Sequence, residues 1–345
     1  MGRMSENSLE KTMKALVLEK PAPMESNPLL LCDLPLPQIG EEEVLLRVRA
    51  CGVCRTDLHI VEGEIPSHLL PLVPGHQIVG AVEEVGEKVK DLARGALVGV
   101  PWLNQVCGSC RFCQEGKENL CENALFTGYD VPGGYAEYVA TSKEAVYKLP
   151  AGYKEEELAP LLCAGVIGYR AYRMSGVKEG DVLGIFGFGS SAHLVAQIAR
   201  AEGVEIFVFT RSPEHQRLAR DLGASFVGRA EDHPLRPLTS AIIFAPAGNL
   251  VKNALSYVER GGKVVMAGIY STPLPEIPYS LLYWERSVKS VANSTRQDVR
   301  ELLDFAQKFH LEVKSEVFPL AEANRVLRLL KESKIKASAV LKPHP

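Results

Sequence analysis

Between residues 181 and 291 the chain alternates short apolar runs with helical stripes, and this alternation restricts the fold more than any other feature. Residues 181–186 read as a buried strand. A glycine turn follows at once, and Leu194, Val195, Ile198 and Ala199 then form a helical stripe ended by Gly203. Glu205–Phe209 reads as a second strand. Ser212 caps another helix, with Pro213 in its first turn, which stops near Gly223. Further β-rich runs lie at 241–244, 263–266 and 288–291. Strands alternating with helices predict an α/β domain with a doubly wound parallel sheet.

The turn itself is Gly187-Phe-Gly189-Ser190-Ser191-Ala192. Gly187 permits the tight turn, Gly189 lets a pyrophosphate approach the backbone, and Ala192 lets the helix pack on the strand. Ser190 and Ser191 fall within the same expected cofactor site. After the second strand stands Thr210-Arg211-Ser212, where a chain that binds NAD usually carries an acid for the ribose 2′-hydroxyl. With no acid there, Arg211 can pair with a 2′-phosphate and Thr210 and Ser212 can add hydrogen bonds. The expectation is NADP, with NAD as the alternative; a solvated surface Arg211 is the plain reading.

A second kind of chemistry precedes this region. Cys51-Gly-Val-Cys54-Arg-Thr56-Asp57-Leu-His59 gathers a thiol, a hydroxyl, a carboxylate and an imidazole in six positions from Cys54. A thiolate can hold zinc, and a catalytic zinc usually takes three protein ligands and keeps one position open. His76, after the turn-forming Pro74-Gly75, and Cys163, in an apolar setting, are the candidate partners. Each also suits a packed core residue. Cys51 reads as a packed thiol and not as a redox partner of Cys54. Cys107, Cys110, Cys113 and Cys121 have the short spacing of a closed tetrahedral zinc site, which contributes folding energy to its loop. The mixed charges of residues 114–118 lack the basic surroundings of a nucleic-acid-binding zinc module.

Around these motifs, runs at 44–48, 78–82, 96–100 and 135–139, punctuated by Gly and Pro, predict an irregular β-rich domain. A helix is expected over 298–309, an amphipathic segment over 320–330 and a strand over 337–341 that returns to the first domain. The expected division is 13–163, 164–295 and a return segment 296–345. At 345 residues there is length for two domains. A net charge of −3 offers no field for nucleic acid or an acidic membrane, and no apolar run reaches the ~18 residues of a spanning helix. Residues 1–12 are polar and read as a lead-in, not a signal peptide. The 8 cysteines, clustered, fit metal binding in the cytoplasm better than a disulfide framework.

Together these motifs resemble the zinc-dependent alcohol dehydrogenases of the medium-chain dehydrogenase/reductase superfamily, from about Met13 to the end. The resemblance implies a GroES-like β-rich catalytic domain beside a Rossmann domain, with the active site in the cleft between them. It implies Cys54, His76 and Cys163 as catalytic zinc ligands and the four clustered cysteines as a structural site, two zinc ions per chain. It implies Thr56 and His59 as a proton relay through the nicotinamide ribose, Asp57 as support behind a ligand, and Arg296 as a residue that approaches the cofactor. Trp102 falls where relatives with small-alcohol pockets place an indole, although an aromatic there also suits the domain core. Where the family usually has Glu after the Gly-His pair, this chain has Gln77.

The expected function is reversible hydride transfer between a primary or secondary alcohol and NADP(H) or NAD(H), in a homodimer or homotetramer. A zinc-free quinone or enone reductase of the same superfamily is one rival. A non-enzymatic protein that binds NADPH, or nucleic acid through the four-cysteine lobe, is the other; it leaves Thr56 and His59 unexplained.

Overall fold

The computed structural model describes residues 11–336 and 338–344. Two sheets dominate it. The first carries six parallel strands in the spatial order Phe226–Gly228, Glu205–Phe209, Val182–Phe186, Leu238–Ile243, Val258–Met266, Ser287–Ser290. Numbered along the chain, that order is 3-2-1-4-5-6, the arrangement of a Rossmann sheet. The first strand is buried throughout because both of its faces are covered by helices. Its continuous Val-Leu-Gly-Ile-Phe run is therefore what a central parallel strand requires.

The second sheet is mixed and has seven strands. Glu43–Val53 lies at its centre, paired antiparallel with Ile78–Val85, Tyr138–Ser142 and Ser338–Lys342. The last of these brings the end of the chain back beside the cysteine motif, with Leu341 opposite Cys51. Ala337, expected to open that strand, lies outside the described residues, as do residues 1–10. A hairpin of Thr12–Leu18 with Leu29–Pro35 packs alongside.

One apolar cluster joins the two sheets. Ala50, Val79 and Val340 of the mixed sheet share it with Leu183, Ile185 and Leu194 of the parallel domain. The helices Glu155–Pro160 and Val166–Ser175 supply Leu158, Ala159 and Tyr169 to the same cluster.

Several elements differ from the sequence-based expectation. Residues 135–139 were expected as a strand, yet the ladder runs over Tyr138–Ser142. Ala136 instead makes an isolated bridge to Ala15. The motif after Val53 is a helix, Arg55–Glu62. The strand Phe226–Gly228 and the helix Leu250–Tyr257 carried too short a signal to be found by periodicity.

Candidate active site and metal centres

Cys54 ends the central strand of the mixed sheet and caps the helix Arg55–Glu62. Its thiol accepts from the Thr56 amide at 3.3 Å, while the Asp57 carboxylate accepts from the Cys54 amide at 2.8 Å. This reciprocal pair is a capping box with a thiol in the usual place of a hydroxyl. It fixes the sulfur at the positive end of a helix.

His76 is set by its neighbour. Gly75 has φ +98°, and a Cβ there would strike the Tyr135 ring at 2.4 Å and the Cys51 sulfur at 2.9 Å. Only glycine permits the turn that aims His76 inward. The imidazole is buried, and its Nδ1 lies 3.0 Å from Asp57 Oδ1. The hydrogen-bond partners thus assign the Nδ1 proton to the Asp57 side and leave Nε2 facing the thiols.

Cys163 sits in a π-turn, Leu161–Gly165, inserted between two α-helical segments immediately after Pro160. Such insertions recur at functional sites because they re-aim one side chain. Here the turn brings the Cys163 sulfur 3.4 Å from His76 Nε2 and 4.0 Å from the Cys54 sulfur. Cys54 Sγ and His76 Nε2 are 3.3 Å apart. A tetrahedral zinc with Zn–S of about 2.3 Å and Zn–N of about 2.0 Å separates its ligands by about 3.8 Å for S···S and 3.5 Å for S···N. The three donors therefore fit one such ion. They come from three separate segments, 22 and 87 residues apart in the chain.

The three donors shift one another's protonation. The Cys163 thiol beside Cys54 holds the latter well below the ordinary thiol range, with the His76 ring contributing. Cys163 itself is held well above it by its bond to Cys54 and by burial. Burial works against a charged His76, but Asp57 and Cys54 outweigh it and hold the ring well above its ordinary value. Metal ligands must be deprotonated, so a divalent cation bound here would displace the protons that Cys163 and His76 otherwise hold and balance the buried thiolates.

The other four cysteines form a second group. The sulfurs of Cys107 and Cys113 are 3.9 Å apart, those of Cys110 and Cys113 3.5 Å, and those of Cys121 and Cys107 3.6 Å. These spacings again match a tetrahedral zinc, now with all four positions filled by thiols. The Cys110 amide donates to the Cys107 sulfur at 3.3 Å. Two side chains in the lobe tie it to the segment before Arg296. Glu118 accepts from the Arg296 amide at 2.7 Å, and Asn119 donates to the Ala292 carbonyl at 2.6 Å.

At the dinucleotide motif, Gly187 has φ +86°, and a Cβ there would meet the Ala245 amide nitrogen at 2.9 Å. A Cβ on Gly189 would meet no protein atom within 4 Å. That open space lies at the start of the helix Ser190–Ala201, whose first amides have no i−4 carbonyl to bond. The fit to a pyrophosphate is direct. The Ser190 hydroxyl, however, bonds Ser338 of the returning strand. Ser191 stands next in the first turn.

At the end of the second strand, the Thr210 amide donates to Gly228 and its carbonyl accepts from Gln216. Ser212 caps the next helix by accepting from the His215 amide at 3.3 Å. Arg211 is exposed and, among the described residues, makes no side-chain hydrogen bond or ion pair. Arg296 differs: its guanidinium bonds Glu144 at 2.6 Å.

Thr56 lies in the first turn of the capped helix, and His59 follows three residues later, on the same side. The His59 ring contacts Tyr270, which follows the fifth parallel strand, with ring centroids 5.5 Å apart. The helix carrying Thr56 and His59 therefore meets the C-terminal edge of the Rossmann sheet, where ligand crevices in such sheets lie. Trp102 meets the His76 ring edge-on at 4.9 Å and stacks on Phe126 and Tyr129 at 5.1 and 5.7 Å. It packs on the core cluster and borders the metal donors. Gln77 is buried beside Gly52, and its Nε2 has no partner among the described residues. Glu64, which contacts His59 Nδ1, was not singled out from the sequence; an acid just past a helix-ending glycine was its only signal.

Comparison with known proteins identifies the family. Residues 40–151 match the description "Alcohol dehydrogenase GroES-like domain", and residues 192–308 match "Zinc-binding dehydrogenase". The chain is 45% identical to AdhA of Mycobacterium tuberculosis, described as a probable alcohol dehydrogenase, over 96% of this chain and 97% of that one. It is 38% identical to an alcohol dehydrogenase of Geobacillus stearothermophilus, over 89% and 93% of the two chains. Among solved structures, acetophenone reductase from Geotrichum candidum in complex with NAD superposes with a TM-score of 0.86 at 29% identity, covering 99% of this chain and 98% of that one. The chain belongs to the zinc-type alcohol dehydrogenases of the medium-chain dehydrogenase/reductase superfamily.

Proposed function

We propose that this protein oxidises a primary or secondary alcohol reversibly, with NADP⁺ preferred to NAD⁺ as the hydride acceptor. The observation that carries the reading is the convergence of Cys54, His76 and Cys163, whose three ligand atoms lie within 4.8 Å of one another. Held by these three residues, zinc supplies Lewis acidity toward the substrate oxygen.

The chain's own groups do the rest. Asp57 accepts from His76 Nδ1 and so keeps Nε2 aimed at the thiols. The Thr56 hydroxyl takes the proton from the alcohol, and His59 receives it one helical turn on. Gly187, Gly189, Ser190 and Ser191 form the turn that holds the pyrophosphate. Thr210, Arg211 and Ser212 receive the 2′-phosphate, with the unpaired Arg211 supporting that preference. Arg296 approaches the cofactor only by exchanging its pair with Glu144. Trp102 narrows the pocket toward short alcohols. Cys107, Cys110, Cys113 and Cys121 hold the structural zinc. The proposed division is a catalytic unit of 13–163 completed by 296–345, with a cofactor unit of 164–295 between them.

A homodimer or homotetramer in the cytoplasm completes the reading. The strand Ser287–Ser290 forms an outer edge of the parallel sheet, and Tyr279, Tyr283 and Trp284 are exposed beside it, a surface suited to a second copy. The clustered free thiols suit a reducing compartment. Among the described residues no helix is long and apolar enough to cross a membrane.

The test is a screen of alcohols and aldehydes with both cofactors. Turnover of short alcohols with kcat/KM higher for NADP⁺ than for NAD⁺ is expected. A higher value with NAD⁺ overturns the cofactor preference, and no turnover of any alcohol or aldehyde overturns the whole reading.

A further inference from the structure

His59 lies in the last turn of the helix Arg55–Glu62, which Gly63 ends in the left-handed conformation at φ +76°. The amides of Glu64 and Ile65 both donate back to the His59 carbonyl, at 2.9 and 3.3 Å. These hydrogen bonds, with that of the Gly63 amide to the same carbonyl, turn the chain over the helix end and set the Glu64 carboxylate against His59 Nδ1. The two side chains differ sharply in exposure: His59 is 10% accessible and Glu64 50%. Tyr270 is the other titratable group against the ring. Glu62, on the same helix, is turned away, accepting from Lys331 Nζ at 2.7 Å and from the Met24 amide at 3.0 Å. Among the described residues Glu64 is the one charged side chain within ion-pair reach of His59.

We propose that Glu64 is a positioning residue for proton release, acting through His59. It rests on the Thr56–His59 relay proposed above. The carboxylate fixes the Nδ1–H tautomer, so Nε2 carries the lone pair. In alcohol oxidation the substrate hydroxyl loses one proton and Nε2 gains one. The resulting imidazolium stands beside the carboxylate, which stabilises it. Water on the exposed side of Glu64 then takes the Nδ1 proton through the carboxylate, leaving a neutral ring with its proton on Nε2; proton exchange with solvent restores the Nδ1–H form before the next turnover. No other bond changes in this step, and no further reactant is needed.

The experiment compares kcat for alcohol oxidation against pH in the zinc-loaded wild type, Glu64→Gln, Glu64→Asp, His59→Gln and the His59→Gln/Glu64→Gln double variant. Glu64→Gln is expected to lose about tenfold in kcat at pH 7, a share of the gain typical of proton-transfer catalysis. The loss should shrink as pH rises, because hydroxide then takes the proton without the relay. Glu64→Asp should restore most of the rate, and Glu64→Gln should cost nothing further in the His59→Gln background. Zinc content and cofactor KM should match the wild type. A loss that is uniform across pH, that comes with lost zinc, or that adds in full to His59→Gln would overturn the proposal, as would wild-type behaviour of Glu64→Gln. Full turnover in His59→Gln would instead overturn the relay beneath it, so the two failures are told apart.

Discussion

Replacing Asp57 by Asn tests the support of the catalytic metal at a single atom. The carboxylate has two tasks: Oδ2 accepts from the Cys54 amide at 2.8 Å, and Oδ1 lies 3.0 Å from His76 Nδ1. Asn can offer an oxygen to only one of them. If the oxygen keeps the Cys54 amide, the NH₂ group donates to His76 Nδ1, and the ring must carry its proton on Nε2, where the metal binds. If the oxygen keeps His76, two donors face each other at the helix cap. Asp57 is fully buried, so water cannot repair either conflict. Losing one charge-assisted hydrogen bond costs about 1.5–3 kcal/mol. At about 1.4 kcal/mol per tenfold, zinc affinity at this site should fall about 10–100-fold, in line with what partners behind metal-bound histidines contribute. The assay is zinc content per chain during titration with a chelator. Two ions should resist the chelator in the wild type, and one should leave Asp57→Asn early while the four-cysteine site keeps its own. Equal resistance of both ions in Asp57→Asn would refute the reasoning.

Other expectations follow from the same coordinates. Arg211→Ala should raise the KM for NADP⁺ about tenfold and leave that for NAD⁺ nearly unchanged, since it removes one charged donor to a phosphate; steady-state kinetics with both cofactors check it. Trp102→Ala should shift relative kcat/KM toward bulkier alcohols by about tenfold, measured on a series of rising chain length. Cys121→Ser should reduce bound zinc from two ions to one and lower the melting temperature, because Glu118 and Asn119 lose the lobe that holds them on residues 292–296. His193 is buried, and burial holds its imidazole down at about 4. Its unfolded form binds protons below about pH 6.5 and its folded form does not. Stability is therefore full above that value and falls as pH drops toward 4, by about 2 kcal/mol at pH 5. Denaturation midpoints at pH 7 and pH 5 should differ less in His193→Gln.

The parts of the fold that read clearly were those with local signals. Strand Glu205–Phe209 was found with both ends correct because an uninterrupted apolar run has no competing period. The convergence of Cys54, His76 and Cys163 was proposed from residue types and a family resemblance, but its means were invisible. Sequence shows neither the π-turn that aims Cys163 nor the use of Cys54 as a helix cap, since a thiol is a rare cap. The helix Arg55–Glu62 escaped notice because Thr, Asp, His and Val are all weak helix formers. Its capping box outweighs them. Arg296 is expected near the cofactor only from the family resemblance, and its guanidinium pairing with Glu144, 152 residues away, could not be read from the sequence. Pairings at such separation leave no trace in a single sequence.

Counting zinc and turnover together in Cys163→Ser bears most directly on the claim that three distant donors hold one catalytic ion. The wild type should carry two zinc ions per chain and oxidise alcohol. The variant should keep one ion, in the four-cysteine lobe, and lose turnover. Two ions in an inactive variant, or full turnover with one, would contradict the account.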